Sequence, residues 1–477
     1  MHIESSDSAI SIKTKTGWWT PQLAGPLIAA AAIRLTLLVL VLARGGSSSL
    51  ISTDTPSYLD PGRNLLLHGG FVANGVPDLF RTPGYPLFLA ITSLAGVPVT
   101  AFIQVILSVF SVLLIWRLAG AVIADQRVAL GAAWLFAFEP IGITYSVILL
   151  SETLFLTLLL LSMERLSTFL HGRSLRVLAL SGLWLAAATF VRPVTYYLPV
   201  ALAVGLFVVL WRERGLRWKA PAVLLISVLP WLGAWQIRNW AETGYTGFCS
   251  IKETNPYFFN VPEVIAGAEH RNYLDVQNQT VGYVCGQGCD EQLYLYAPYL
   301  ALHPEQAGWS LGRRLAFMSA ETSRILGAHR GVYLRSCTKV MLKVAFRLGS
   351  GNFDQLLYPG SPSLVVTSFS GEGPSISWLM LAKEYPWIAV EKLTFGIVMV
   401  GLYVLAARGI YLVARGAYRD RIHGGCLWLL LGTSLYFLAV IGVGGGSTAD
   451  SRLRLPIMIT VCILSSAGVR RSNTIAQ

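Results

Sequence analysis

The sequence predicts an all-α polytopic membrane protein of about ten spans, and three observations carry that expectation. Of 477 residues, 54% are hydrophobic and only 13% are Asp, Glu, Lys or Arg, roughly half the charged share of a soluble domain. Mean hydropathy is +0.57. The apolar residues arrive in blocks of roughly 17–25, the length that crosses the hydrocarbon layer as helix. Cations sit at the ends of those blocks, so the net charge of +12 reads as a topology signal and as attraction to anionic headgroups. Membrane lipids are therefore expected partners and nucleic acid is not.

In chain order the expected spans are 23–43, 99–119, 128–146, 152–168, 177–191, 194–211, 220–238, 387–407, 424–443 and 453–469. With the N-terminus in the cytoplasm, the inner loops and tails carry 17 Lys and Arg against six in the short outer loops, as the positive-inside rule requires. The organisation that follows is a cytoplasmic tail (1–22), a seven-span module (23–238) with its first outer loop at 44–98, an outer segment (239–386), a three-span module (387–469) and a cytoplasmic tail (470–477). The polar first 20 residues, with Glu4 and Asp7 and no small-residue cleavage pattern after them, read as no removable signal peptide.

The outer segment is 148 residues long, and loops of that size are usually functional. Within it, His303-Pro304-Glu305 is expected to open an amphipathic helix with Leu311, Leu315 and Phe317 on one side. Four of the six cysteines, Cys249, Cys285, Cys289 and Cys337, fall in this segment. An even number in an exterior segment predicts at least one disulfide among them. The spacing of Cys285 and Cys289 lacks a second pair and the seven histidines are scattered, so no metal site is assigned.

Charged residues at the outer face are the candidates for chemistry, because an ion near a bilayer is costly to keep. Asp54 stands in Ser-Thr-Asp-Thr-Pro-Ser-Tyr, where Thr55 and Pro56 already supply a cap and a first helical residue. Its carboxylate is thereby left free for chemistry, with a capping role as the rival reading. Pro61-Gly62 is expected to kink or end that helix, with Leu65–Leu67 in a second interfacial segment. Arg81 and Tyr85 lie in a rigid Arg-Thr-Pro-Gly-Tyr-Pro turn into an apolar stretch. Glu139 sits near the outer end of the third span. Glu152 opens the fourth, where it could simply satisfy the macrodipole. Arg192, and Arg238 with Asn239, mark the outer ends of the fifth and seventh spans and could serve only as anchors. The last outer loop, Gly444–Pro456, joins flexible glycines to Asp450, Arg452 and Arg454. It reads either as a solvated linker or as a phosphate site, since Arg offers a bidentate fork and Gly exposes backbone amides. Arg34, inside the first span, either snorkels or pairs with an acid.

The ordered set Asp54, Arg-Thr-Pro-Gly-Tyr-Pro-Leu-Phe-Leu-Ala (81–90), Leu-Ser-Glu-Thr-Leu-Phe (150–155), Arg-Pro (192–193), Pro-Trp then Ile-Arg-Asn (230–239) and Arg-Leu-Arg-Leu-Pro-Ile (452–457) resembles the glycosyltransferase C superfamily. It looks like the bacterial branch related to protein O-mannosyltransferases and the lipid A aminoarabinose transferase. The resemblance implies a multi-pass enzyme of the bacterial inner membrane. It would move a sugar from a polyprenyl-phosphate donor to the hydroxyl of an outer-face glycan, glycolipid or protein acceptor. It carries the role of general base onto Asp54, while Arg81, Glu152, Arg192, Arg238, Asn239, Arg452 and Arg454 match recurrent motif positions. Two departures stand out: Pro61-Gly62 in place of a continuing helix, and Leu453 where relatives often carry an aromatic.

The chemistry assigns the rest. A sugar phosphodiester leaves as a lipid phosphate, so cations must meet growing negative charge while a carboxylate takes the acceptor's proton. Asp54 is the expected base; Arg452 and Arg454, with Arg192 and Arg238, are the expected phosphate ligands; Arg81, Tyr85, Glu139, Glu152, Asn239 and Asp450 support them. Direct displacement would invert the anomeric centre. No cofactor is required by the sequence, and a divalent metal is possible but unsupported. Two other classes fit less well: an O-antigen ligase or polymerase using a pyrophosphate-linked oligosaccharide, and a transporter. The transporter is disfavoured because no internal repeat is visible and the ionisable residues gather at one interface rather than at the midplane.

Overall fold

The computed structural model describes residues 20–282, 297–349, 351–357, 365–366, 375–376, 378–416, 418, 425–446 and 449–469. The N-terminal half is a run of helices: α1 (Ala24–Gly45), α2 (Thr55–His68), α3 (Gly84–Ser93), α4 (Val97–Val122), α5 (Gln126–Ala137), α6 (Pro140–Thr144), α7 (Glu152–Gly172), α8 (Leu175–Val191), α9 (Leu198–Val209) and α10 (Lys219–Thr243). Then come the shorter helices α11 (Ile251–Asn255), α12 (Val261–Glu269), α13 (Tyr273–Val281) and α14 (Ala297–Leu302), followed by α15 (Leu311–Ala328), α16 (Arg330–Phe346), α17 (Gly351–Leu357) and α18 (Trp378–Glu384). The chain closes on α19 (Pro386–Ala414), α20 (Cys426–Gly444) and α21 (Leu455–Val469). Among the described residues, strands are confined to two pairs of two residues each, Val72–Ala73 with Val76–Pro77 and Val365–Val366 with Ser375–Ile376.

The protein is all-α and polytopic. Seven of the ten expected spans are helices long and apolar enough to cross a membrane: those containing α1, α4, α7, α10, α19, α20 and α21. Large apolar side chains such as Val204, Ile226, Val400 and Val404 stand exposed along these helices and α9, the pattern of surfaces that face lipid. The expected spans at 177–191 and 194–211 are shorter apolar helices, α8 and α9, the second entered through a 3-10 turn at Pro193–Thr195.

The expected span 128–146 is not one helix. It breaks between α5 and α6, because Pro140 has no amide to continue the ladder and forces the residue before it out of the helical region. Glu139 is accordingly extended (φ −67°, ψ 116°), and its carboxylate caps α6 by accepting from the Gly142 amide.

Small and hydroxylated residues hold the helices together, as expected where lipid offers no hydrophobic drive for association. A Cβ added to Gly409 or Gly468 would stand 2.0 Å from a backbone carbonyl of the facing helix, α21 or α19 respectively. Ser162 and Ser181 exchange hydrogen bonds with each other's carbonyls between α7 and α8. Ser111 and Thr157 join α4 to α7 at 3.0 Å.

Two local expectations change. Pro61-Gly62 neither ends nor splits its helix: α2 runs through both residues to His68. A Cβ at Gly62 would lie 2.2 Å from the Pro86 carbonyl oxygen, so the glycine lets α2 settle on α3, and that packing offsets the lost ladder bond. His303-Pro304-Glu305 opens only a 3-10 turn at Pro304–Gln306. The amphipathic helix, α15, begins at Leu311, where the Ser310 hydroxyl accepts from the Arg313 amide. Leu315 and Met318 on its inner side join Tyr257, Phe258 and Tyr299 in a second apolar core. Of the four cysteines in which a disulfide is expected, Cys249 and Cys337 are free and buried. Cys249 Sγ donates to the Phe80 carbonyl at 2.8 Å, and burial pushes its thiol up to about 12. Cys285 and Cys289 lie outside the described residues.

Candidate active site

Asp54 precedes the first residue of α2, yet its carboxylate makes no capping bond to the helix. Thr55 and Pro56 fill that need: the Thr55 hydroxyl accepts from the Ser52 amide at 2.9 Å and donates to the Leu149 carbonyl at 2.9 Å, fixing the start of α2 against the segment before α7. The free carboxylate turns to the last loop of the membrane module. Arg452 Nη1 donates to Asp54 Oδ2 at 3.0 Å, across 398 residues of chain.

Arg452 also approaches a second carboxylate, its Nε lying 3.7 Å from Glu152 Oε1 at the N-terminus of α7. Glu152 is 3% exposed, and the same oxygen pairs with Arg192 Nη1. Arg192, at the C-terminus of α8, further donates to the Ser151 hydroxyl at 3.4 Å. Arg81 completes the group from the first loop. Its Nη1 donates to Tyr58 Oη at 2.7 Å, its Nε and Nη2 donate to Ser57 Oγ at 3.1 and 2.9 Å, and its guanidinium lies 3.8 Å from the Tyr58 ring centroid. Burial pushes the Asp54 carboxyl upward, but Arg452, Arg81 and Arg192 outweigh it and hold the group below its ordinary value.

The other expected residues sit elsewhere. Arg454 is 1% exposed and points away from Asp54: its Nη1 donates to the carbonyls of Val344, Ala345 and Arg347 and its Nη2 to that of Leu348, at the C-terminus of α16. Asp450 caps the 3-10 turn Ser451–Arg454, accepting from the Ser451 amide and from the Ser451 hydroxyl at 2.9 Å. Arg238 pairs with Glu242 at 2.7 Å and donates to the carbonyls of Phe71 (2.8 Å) and Asp78 (3.3 Å), tying the first loop to α10. Asn239 donates to the carbonyls of Gly247 and Phe248. Tyr85 is fully buried behind the site, donating to Gln104 Oε1 at 2.9 Å and meeting the Tyr58 ring edge-on at 4.9 Å. Arg34 does not snorkel; it is buried and donates to Ser108 Oγ at 2.7 Å and the Ala137 carbonyl at 2.9 Å.

Sequence reasoning missed Ser57, Tyr58, Asp78 and Ser151. Asp78 has a local signal: its Oδ1 accepts from the amides of Phe80 (2.7 Å) and Arg81 (3.1 Å), an Asx turn that presents the Arg81 side chain. Tyr58 and Ser57 follow from one turn of helix, since residues three and four beyond Asp54 share its face. Among the described residues, no three His, Cys, Asp or Glu side chains come together as metal ligands.

This arrangement sets a carboxylate with no helix-capping bond beside paired guanidiniums at one end of an apolar helix bundle, a group of side chains able to hold an anionic group. A family model described as dolichyl-phosphate-mannose-protein mannosyltransferase matches residues 81–235, a stretch that contains Arg81, Glu152 and Arg192. The chain resembles the glycosyltransferase C superfamily, as its motifs indicate. No curated protein matches the chain by sequence.

Among solved structures, the chain is similar to the oligosaccharyltransferase AglB from Archaeoglobus fulgidus in complex with an inhibitory peptide and a dolichol-phosphate (14% identity, 94% of this chain and 50% of that one, TM-score 0.48). Another is the oligosaccharyltransferase from the same organism in its apo form (13%, 95% and 50%, TM-score 0.49). A third is ArnT from Cupriavidus metallidurans in the apo state (12%, 94% and 78%, TM-score 0.35). The chain thus spans about half the length of the archaeal oligosaccharyltransferase.

Proposed function

We propose that this protein is a glycosyltransferase of the bacterial inner membrane that moves a sugar from a polyprenyl-monophosphate carrier to an acceptor hydroxyl at the outer face. The Asp54–Arg452 contact carries the reading, because it puts a carboxylate held ionised beside the cation that would meet a phosphate. Asp54 takes the proton of the acceptor hydroxyl as that oxygen bonds to the anomeric carbon. The bond from the anomeric carbon to the phosphate oxygen breaks, and its electron pair leaves on the lipid phosphate with inversion. Arg452 and Arg192 stabilise the charge that appears there, a role worth about 10²–10³ in rate per donor by analogy with oxyanion holes. Glu152 holds those two arginines side by side, and Arg81 with Tyr58 borders the acceptor side.

The test is purified protein in lipid with a polyprenyl monophosphate sugar, reading release of polyprenyl phosphate. Transfer from a water-soluble nucleotide sugar, or an absolute need for a pyrophosphate-linked oligosaccharide, would defeat the proposal, the second in favour of a ligase or polymerase.

A further inference from the structure

Arg454 is a residue of the same turn as Arg452, yet the two side chains diverge. Arg452 reaches Asp54 and Glu152, while Arg454 inserts into the end of α16, where the last carbonyls of a helix lack intrahelical donors and carry the negative end of the dipole. Four carbonyls, from Val344 to Leu348, accept from its two Nη atoms. This is a fork geometry that an ammonium does not reproduce.

Two further contacts fix the same turn. Asp450 caps it through Ser451. Gly349, three residues beyond α16 and at φ +78°, leaves no room on its inner side: an added Cβ would lie 2.5 Å from Ser451 Oγ. The turn is thus clamped by Arg454 and Gly349 to a helix of the large segment between the two membrane modules. Helix α16 is itself seated on α20, with Tyr333 Oη donating to the Val443 carbonyl at 2.9 Å and Met341 against Gly442.

We infer that Arg454 is a positioning residue: through its bond to the α16 terminus it sets the turn from which Arg452 reaches Asp54, and so couples the large segment to the site. The inference rests on the reading of Asp54 and Arg452 given above, and it removes Arg454 from the phosphate ligands. A structural cap alone would leave Asp54 titrating normally when the fold survives. A positioning role would not, because Arg452 is the strongest of the cations holding that carboxyl down, ahead of Arg81 and Arg192. Of the other acids at the site, Glu152 remains paired with Arg192 and Asp78 accepts from the Phe80 and Arg81 amides.

The experiment follows Asp54 directly. Full-length protein in detergent is treated with a carbodiimide, which attacks the protonated carboxyl, across a pH series, and labelling of the Asp54 peptide is read by mass spectrometry. Arg452→Gln should raise the pH of half-labelling by about 1 unit or more, as loss of a neighbouring opposite charge does. Arg454→Gln and Gly349→Ala should raise it in the same direction with Arg452 still present, and Arg454→Lys should fall between the parent and Arg454→Gln. If Arg454→Gln does not accumulate as a monodisperse protein, Gly349→Ala and Arg454→Lys decide. An unchanged Asp54 titration in the folded Arg454 and Gly349 variants, alongside a shift in Arg452→Gln, would overturn the inference. Absence of transfer from polyprenyl monophosphate sugars in the parent would instead sink the functional reading and leave the labelling result standing.

Discussion

Replacing Glu152 by Gln removes one negative charge while keeping the size and shape of the side chain, and the structure sets the scale of the effect. Glu152 is 3% exposed and its Oε1 serves both Arg192 and Arg452, the latter at 3.7 Å. At an effective dielectric of about 20, a single pair at that distance interacts by roughly 4 kcal/mol before desolvation is subtracted. Breaking a fully buried pair on one side costs about 3–5 kcal/mol, and because the surviving Arg192 and Arg452 side chains are 19% and 28% exposed, solvent holds the cost to the low end of that range. Here two guanidiniums lose their shared partner, so a net loss of about 3 kcal/mol is expected. That corresponds to an apparent melting temperature lower by roughly 5 °C, given the small shift per kcal/mol in large proteins.

The same substitution makes the site one charge more positive, so an anion should now do part of the work of the missing carboxylate. Thermal unfolding in detergent with and without polyprenyl phosphate reads both effects. Saturating ligand at about 100 times its dissociation constant adds about 2.7 kcal/mol, and Glu152→Gln should be stabilised by more than the parent at equal ligand. A variant that melts with the parent and gains no more from the ligand would refute the bridging role and leave Glu152 as a helix-terminal charge serving only the α7 dipole.

Asp54→Asn should insert and fold, giving up only the stability that the charged pair with Arg452 contributes, but lose transfer, since the amide keeps the shape and has no basic oxygen; substantial turnover at normal expression would remove Asp54 from the mechanism. Because its folded-state carboxyl is held below the unfolded value, the stability it contributes is present above the unfolded value and is lost as pH falls through the depressed folded one. The acid limb of kcat/KM should therefore lie below the ordinary carboxylate range in the parent and move upward in Arg452→Gln, and an unmoved limb would count against the pair. Arg452→Lys should recover only part of the activity lost in Arg452→Ala, because an ammonium keeps the charge but cannot reach Asp54 and Glu152 as the fork does; full recovery would argue for a simple point charge. Cys249 and Cys337 should be alkylated in unreduced, denatured protein, as their free thiols require, and a mass spectrum showing either in a disulfide would contradict the structure.

The class of the molecule was legible in the sequence because it rests on local quantities. A run of about 20 apolar residues has few ways to satisfy its backbone in lipid other than as helix, and α1, α4, α7, α10 and the last three helices follow from that alone. The freedom of Asp54 was legible too, since Thr55-Pro56 supplies the helix start whatever lies around it. Local rules failed where packing decided. Pro61-Gly62 remains helical because the Pro86 carbonyl needs the glycine's missing side chain, and residues 128–146 break because the Glu139 carboxylate offers the Gly142 amide a partner once Pro140 interrupts the ladder.

The roles of the two arginines in Arg452-Leu453-Arg454 were beyond any reading of spacing. Adjacent side chains on one tight turn point to different neighbours, and which one meets Asp54 and which meets the end of α16 depends on elements about 400 and 110 residues away in the chain. Charge and motif order put cations at one end of the bundle, but only the three-dimensional arrangement distributes them, because a guanidinium goes where unsatisfied oxygens are. Those oxygens are a carboxylate in one case and the bare carbonyls of a helix terminus in the other.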